Sequence, residues 1–177
     1  RADAARGERH LAELVDYAKA NPGKVTFASG GIGATNHLSG ELLKAITGAP
    51  MVHVPYKGSA PALVDVMSGN VTMMFDILVT SLPQLKNGKV RALAITSDKR
   101  SEYAPDIPTM RESGVPGYAA AGSDLWFGVF APANTPRAIV ERLNAELVKA
   151  MDSAEVKERM RAQAYSRWTL RPDAFSE

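Results

Sequence analysis

At 177 residues, 45% of them hydrophobic and 23% charged, the chain is long enough to bury a real core and too apolar to be disordered throughout. A formal charge of +2, with no basic run and no interleaving of basic and aromatic residues, excludes an extended nucleic-acid surface but leaves room for a local anion site. It has no cysteine, which removes disulfides, thiolate nucleophiles and Cys-ligated zinc, and no stretch nears the roughly 20 apolar residues of a membrane span.

Leu11, Leu14, Val15 and Ala18 fall on one helical face, and Asn21, Pro22 and Gly23 end that helix with three turn formers. KVTFAS then reads as a strand, Gly30 to Gly33 as a turn, and the run carrying Leu38, Leu42 and Ile46 as a helix. MVHVPY is a second strand, SAPALVDVMSG a helix with Pro61 near its first turn, and NVTMMFDIL a third strand. SLPQLKNG reads as a short helix or turn and VRALAITS as a fourth strand. This alternation predicts βαβ units on a parallel sheet.

From Asp98 to Gly122 the prolines 105, 108 and 116 predict an ordered but irregular segment. DLWFGVFAP is a further strand, in which Trp126, Phe127 and Phe130 read as buried residues, with Trp126 or Phe127 alternatively walling a cleft. The stretch from Asn134 to Ser153 is a strong helix, with Thr135 as its cap, Pro136 in its first position and a stripe of Ile139, Val140, Leu143 and Leu147. A second helix carries Val156 and Met160, and RPDAFSE reads as the opening of a third.

A glycine-rich turn between a strand and a helix leaves main-chain N–H groups at a helix N-terminus, where the macrodipole also favours negative charge. Ser29 and Thr35 add hydroxyl donors there, and the bare backbone of Gly30, Gly31 and Gly33 permits close approach. A tight turn that binds nothing would read the same way. The dinucleotide fingerprint fails because it needs glycine where Asn36 stands, and no Gly-Lys-Ser/Thr follows to make a phosphate loop. Tyr56 and Lys57 sit at the carboxyl end of the next strand and suit an anion, although Lys57 equally fits a solvated surface position. Asp76 ends the third strand, placed to accept from a ligand hydroxyl or ammonium or to cap the helix after it.

No metal site is expected from His10, His37 and His53, which lie on different elements without metal-ligand spacing. Ser29, His37 and Asp76 lack the nucleophile elbow of a hydrolase, so no catalytic residue and no cofactor is assigned.

YAKANPGKVTFASGGIGATNHLSGELL, HVPYKGSAPALVDVMSGNV, MFDILVTSLPQLKNGKVRALAITSDKRS, PDIPTMRESGVPGY and WFGVFAPANTPRAIVERLNAEL together resemble the Bug family, the TctC-like extracytoplasmic solute receptors of tripartite tricarboxylate transporters. The resemblance runs from about Leu14 to the last residue. It implies an α/β fold of the type II periplasmic-binding-protein kind: a parallel-sheet βαβ domain over 8–122, then a partial second lobe of one strand and helices over 123–177. It also implies a receptor rather than an enzyme, periplasmic, without cofactor or metal, that captures a small organic carboxylate such as a di- or tricarboxylate, an acidic amino acid or an aromatic acid. Its partners would be the membrane subunits of the transporter, and no nucleic acid. The family grips carboxylates between a glycine-rich loop from each domain, and one such loop matches Ser29, Gly30, Gly31, Gly33, Ala34 and Thr35, with Tyr56, Lys57 and Asp76 as rim contacts.

The chain departs from the family at its start. Receptors of this kind run to roughly the 300-residue scale of two domains, and nothing like their first strand and loop precedes Arg1, nor does RADAARGERH contain a signal peptide's apolar core. The expectation is therefore a piece of something longer, lacking half of the clamp. The stripe on the helix after Thr135 would then lack a cover, which predicts self-association or exchange of the segment 123–163. Two other readings stand beside the receptor: an α/β enzyme domain that uses the loop for a nucleotide or phosphate, and a truncated fragment that self-associates and binds nothing.

Overall fold

In a computed structural model, which describes residues 10–118 and 128–162 together with Tyr165, Arg167, Thr169, Arg171 and Pro172, the first apolar stripe closes a core. Helix α1, Leu11–Ala20, buries Leu11, Leu14, Val15 and Ala18 at helical spacing. It ends where the Asn21 main-chain and side-chain N–H groups both donate to the Tyr17 carbonyl. Strand β1, Thr26–Ser29, follows, then α2, Thr35–Thr47, β2, Val52–Pro55, α3, Ser59–Ser68, β3, Met73–Met74, and α4, Leu78–Lys86. The three strands are parallel in the order β2-β1-β3, so the chain crosses outward from β1 and then back past it.

Burial of β1 explains its sequence. As the central strand it is covered on both faces and carries the near-continuous buried run Phe27, Ala28 and Ser29. Phe27 and Val25 join α1, Leu43 of α2, Met110, Val115 and Tyr118 in one core cluster. Ala28 points the other way and packs with Ala62 of α3 and Val71. On the Phe27 side the fit is close: a Cβ on Gly40 of α2 would lie 2.2 Å from the Phe27 ring, so only glycine lets the helix pass over that phenylalanine. The inward face of α2 is therefore Ser39, Gly40 and Leu43. Of the expected stripe, Leu42 packs on the cluster while Leu38 and Ile46 are exposed.

The segment 98–118 is irregular, as its prolines predict, and tethered by side chains. Glu112 accepts from Arg100 Nε at 2.9 Å and from the Thr109 N–H at 2.8 Å, and Arg100 Nη1 donates to the Pro105 carbonyl at 3.0 Å. Together, the Arg100 guanidinium and the Thr109 N–H hold the Glu112 carboxyl down to about 2. The segment ends on Tyr118, which is fully buried, lies parallel to the Phe75 ring and donates to the Ser39 carbonyl at 3.0 Å. Burial pushes the Tyr118 hydroxyl up to about 12.

Three expected strands are altered. The third is pared to Met73–Met74. VRALAITS forms no strand and contributes a single parallel bridge, Ile95 with Thr109, because alternation supplies a face but not a paired backbone. Residues 128–132 of DLWFGVFAP are also not a strand, and 124–127 lie outside the described residues.

The chain divides into two compact units, Arg1–Leu125 and Trp126–Glu177. In the second, α5, Arg137–Asp152, and α6, Ala154–Ala162, are joined through Ser153, whose hydroxyl accepts the Val156 N–H at 3.4 Å. Asp152 beside it pairs with Lys157 at 2.9 Å and with Arg167 at 2.8 Å. The expected cap is displaced by one residue. Pro136 occupies the cap position, its carbonyl accepting from Ile139 and Val140, and Thr135 makes no capping bond. Ile139, Leu143 and Leu147 of α5 are 50%, 49% and 40% exposed. Val156 and Met160 of α6 are half-buried, and the end of RPDAFSE lies outside the described residues.

Candidate functional site

Because the strands are parallel and each leads into a helix, the N-termini of α2, α3 and α4 all open at the carboxyl edge of the sheet. None of them has a side-chain cap: the preceding residues are Ala34, Gly58 and Ile77. The first N–H groups of such a turn have no intrahelical partner, so this edge gathers main-chain donors and the positive ends of three macrodipoles. Pro61, however, brings no N–H to α3, and those of Gly58 and Ala34 are taken by the Gly30 and Gly31 carbonyls. The order β2-β1-β3 also makes it a switch point, where α/β sheets open a ligand crevice beside the first strand.

The glycine loop is built at this edge. Gly31 and Gly33 have φ of +147° and +82°, which L side chains rarely adopt, while no neighbour crowds the Cβ position of either. Conformation rather than space demands glycine there. Gly30 is different: a Cβ would sit 3.2 Å from the backbone of Gly58 and Ser59, because this loop is laced to the next. Tyr56 N–H donates to the Ser29 carbonyl at 2.9 Å and Gly58 N–H to the Gly30 carbonyl at 3.0 Å. Asn36, the residue that breaks the nucleotide fingerprint, completes the lacing. Its Oδ1 accepts the Gly30 N–H at 3.2 Å and its Nδ2 donates to Ser59 Oγ at 3.3 Å.

Most of the loop's own donors are used internally. Gly31 N–H goes to Ser29 Oγ, Gly33 N–H to His37 Nδ1 and Ala34 N–H to the Gly31 carbonyl. Ser29 is fully buried, and its hydroxyl lies 2.6 Å from His53 Nε2. Thr35 is exposed at the first position of α2, beside the uncapped N–H groups of that turn. The outward chemistry of the loop is thus the first turn of α2 more than the glycines before it.

The other expected residues take distinct places. Tyr56 donates to Asp65 Oδ2 of α3 at 2.6 Å, and that bond pushes its hydroxyl above the usual phenol value. Lys57 is exposed and forms no ion pair among the described residues. Asp76 does not cap α4 through its backbone. Its Oδ2 accepts from the hydroxyls of Thr80 and Ser81, and its Oδ1 is buried without a partner among the described residues. The imagined Ser29, His37 and Asp76 set is not assembled, since Ser29 pairs with His53. Burial, then the adjacent His37, push His53 below the usual imidazole value. His53 under the loop and Asn36 across it were the contributors the sequence reading missed. The only signal was their place in motifs already singled out, VHVPY and GATNH.

These features define a parallel α/β unit whose carboxyl edge gathers three helix N-termini beside a glycine loop. The sequence matches the tripartite tricarboxylate transporter family receptor family, TctC, over residues 2–173, and the chain belongs to that family, whose members are receptors and not enzymes. It is 42% identical over 154 residues to the UPF0065 protein in the tcbD-tcbE intergenic region of Pseudomonas sp. strain P51, covering 86% of this chain and 45% of that protein. Among solved structures, it resembles R. palustris Rpa4515 with adipate, with 35% identity, a TM-score of 0.83 and coverage of 96% of this chain and 56% of that one. It also resembles MatC (Rpa3494) from Rhodopseudomonas palustris with bound malate, with 32% identity, a TM-score of 0.78 and coverage of 94% and 55%. For the periplasmic binding protein BugD the identity is 36%, the TM-score 0.74 and the coverage 89% and 52%. The chain spans about half the length of the relatives it matches.

Proposed function

We propose that the first unit grips one carboxylate group of a small organic acid at the carboxyl edge of its sheet, as part of a periplasmic receptor that delivers solute to the membrane subunits of a tripartite tricarboxylate-type transporter. The observation that carries this reading is the set of three uncapped helix N-termini at one sheet edge, beside a loop whose glycines hold a backbone that other residues resist. Adipate and malate, bound by two structural neighbours, supply the ligand class. In this reading residues 8–122 form the ligand-binding domain and 123–177 part of a second lobe. Thr35 and the first turn of α2 meet the carboxylate; Ser29 acts from beneath; Gly30, Gly31, Gly33 and Ala34 shape the approach; and Tyr56, Lys57 and Asp76 stand at the rim. Calorimetric titration with adipate, malate and ADP tests it: heat from a dicarboxylate and none from the nucleotide is expected, and silence toward both acids contradicts it.

The half-exposed stripe of Ile139, Leu143 and Leu147 supports a second element of the proposal, that a second copy of the chain covers α5. Size-exclusion chromatography with light scattering should give a dimer. A clean monomer across the concentration range removes this element and leaves the first.

A further inference from the structure

We infer that His37 and His53 are positioning residues of the glycine loop, two imidazoles that hold Gly33 and, through Ser29, Gly31 in the conformation that presents the first turn of α2. The inference rests on the reading of that turn as a carboxylate site, but its own evidence lies beneath the loop. His37 Nδ1 accepts the Gly33 N–H at 3.2 Å. His53 Nε2 lies 2.6 Å from Ser29 Oγ, which accepts the Gly31 N–H at 3.2 Å and lies 3.1 Å from the Gly31 carbonyl oxygen. The two imidazole centroids are 4.1 Å apart, and His53 stacks on Phe27 at 4.9 Å. Gly31 and Gly33, the loop's two positive-φ glycines, are therefore each secured from one imidazole, and the pair is seated on the buried Phe27 ring through His53.

This arrangement constrains protonation. An imidazole that accepts at Nδ1 carries its proton on Nε2, and an imidazolium has no acceptor nitrogen, so protonating His37 expels the Gly33 N–H. His53 meets the Ser29 hydroxyl as either donor or acceptor, and the single hydroxyl proton turns toward the Gly31 carbonyl or toward the ring accordingly. The charged groups facing the pair are Glu41 and Lys44 of α2, themselves paired at 2.8 Å. Strand β1 brings no charge, and the carboxylate of α3, Asp65, is engaged by Tyr56 and Asn70. Burial of His53 beside His37 disfavours a charged His53 ring.

Two measurements test the inference, one without ligand. In amide NMR of the free protein, the Gly33 signal should move in His37→Leu, which offers its N–H no acceptor, and return toward the wild-type position in His37→Asn, whose Oδ1 replaces Nδ1. The Gly31 signal should move as the pH falls below the usual imidazole range, where burial places the titration of His53. In calorimetry with adipate or malate, His37→Leu, if folded by circular dichroism, should bind about tenfold more weakly than the wild type, and His37→Asn should recover most of that loss. A Gly33 amide that ignores the loss of the acceptor, or a His37→Leu protein with wild-type affinity, would overturn the inference. A Gly33 amide that follows the acceptor in a protein that binds neither acid would uphold it and sink the carboxylate reading instead.

Discussion

Helix α2 turns Ser39, Gly40 and Leu43 inward, whereas α5 keeps Ile139, Leu143 and Leu147 between 40% and 50% exposed. Both helices carry apolar residues at helical spacing, so periodicity alone ranks them as equals. What separates them is the close contact that α2 makes through Gly40 with the Phe27 ring. Where a neighbour has arrived, as Phe27 has under α2, space is short and small residues stand at the contact. A helix whose stripe is all large, as in α5, states a need for cover without naming what provides it.

The largest way to break this comparison is to remove the neighbour. Phe27→Ala deletes a fully buried ring shared by α2 and both histidines and should cost about 3–5 kcal/mol, read as the loss in urea-unfolding free energy. Gly40→Ala probes the same contact from the helix. A Cβ 2.2 Å from the ring forces α2 away and should cost about 1–3 kcal/mol in the same assay, even though alanine is the better helix former. An ordinary surface glycine would show the opposite sign. A smaller effect separates the tethered loop from the core. The Glu112 carboxyl is held down to about 2 from 4.5, so its contribution is present above the higher value and lost as the pH falls toward the lower. In Glu112→Gln the unfolding midpoint should be less pH-dependent within that window and unchanged in form above it. The smallest effect belongs to α5: Leu143→Ala, at a position 49% exposed, should shift the stability of the monomer by no more than about 0.5 kcal/mol.

Much of the first unit was legible because its physics is local. The stripe of α1, the apolar runs of β1 and β2, and the turn residues between them each announce their own element, and together they fix a parallel α/β unit. VRALAITS alternates as a strand does yet pairs only through Ile95, because pairing is a property of two segments and only one was being read. The glycine loop was legible as a strand-to-helix turn, which the fold shows between β1 and α2. Its inner workings were not. Asn36 read as the residue that spoils a fingerprint, and only the fold shows it lacing Gly30 to Ser59. His37 and His53 lie 16 positions apart, and no spacing rule brings a strand residue beneath a helix's first turn. Asp76 fitted either a ligand contact or a helix cap, and only the fold shows its carboxylate taking the hydroxyls of Thr80 and Ser81.

In the proposed receptor, backbone shaped by Gly31 and Gly33 presents the donors of the first turn of α2 to a carboxylate. Calorimetric titration of Gly31→Val/Gly33→Val with adipate or malate, on protein whose circular dichroism and urea unfolding show an intact sheet, tests that claim most directly. β-branched side chains at φ of +147° and +82° distort the turn and cover its donors, so the heat of binding expected of the wild type should be absent. Wild-type affinity in the folded double variant would contradict the claim and move the site away from this loop.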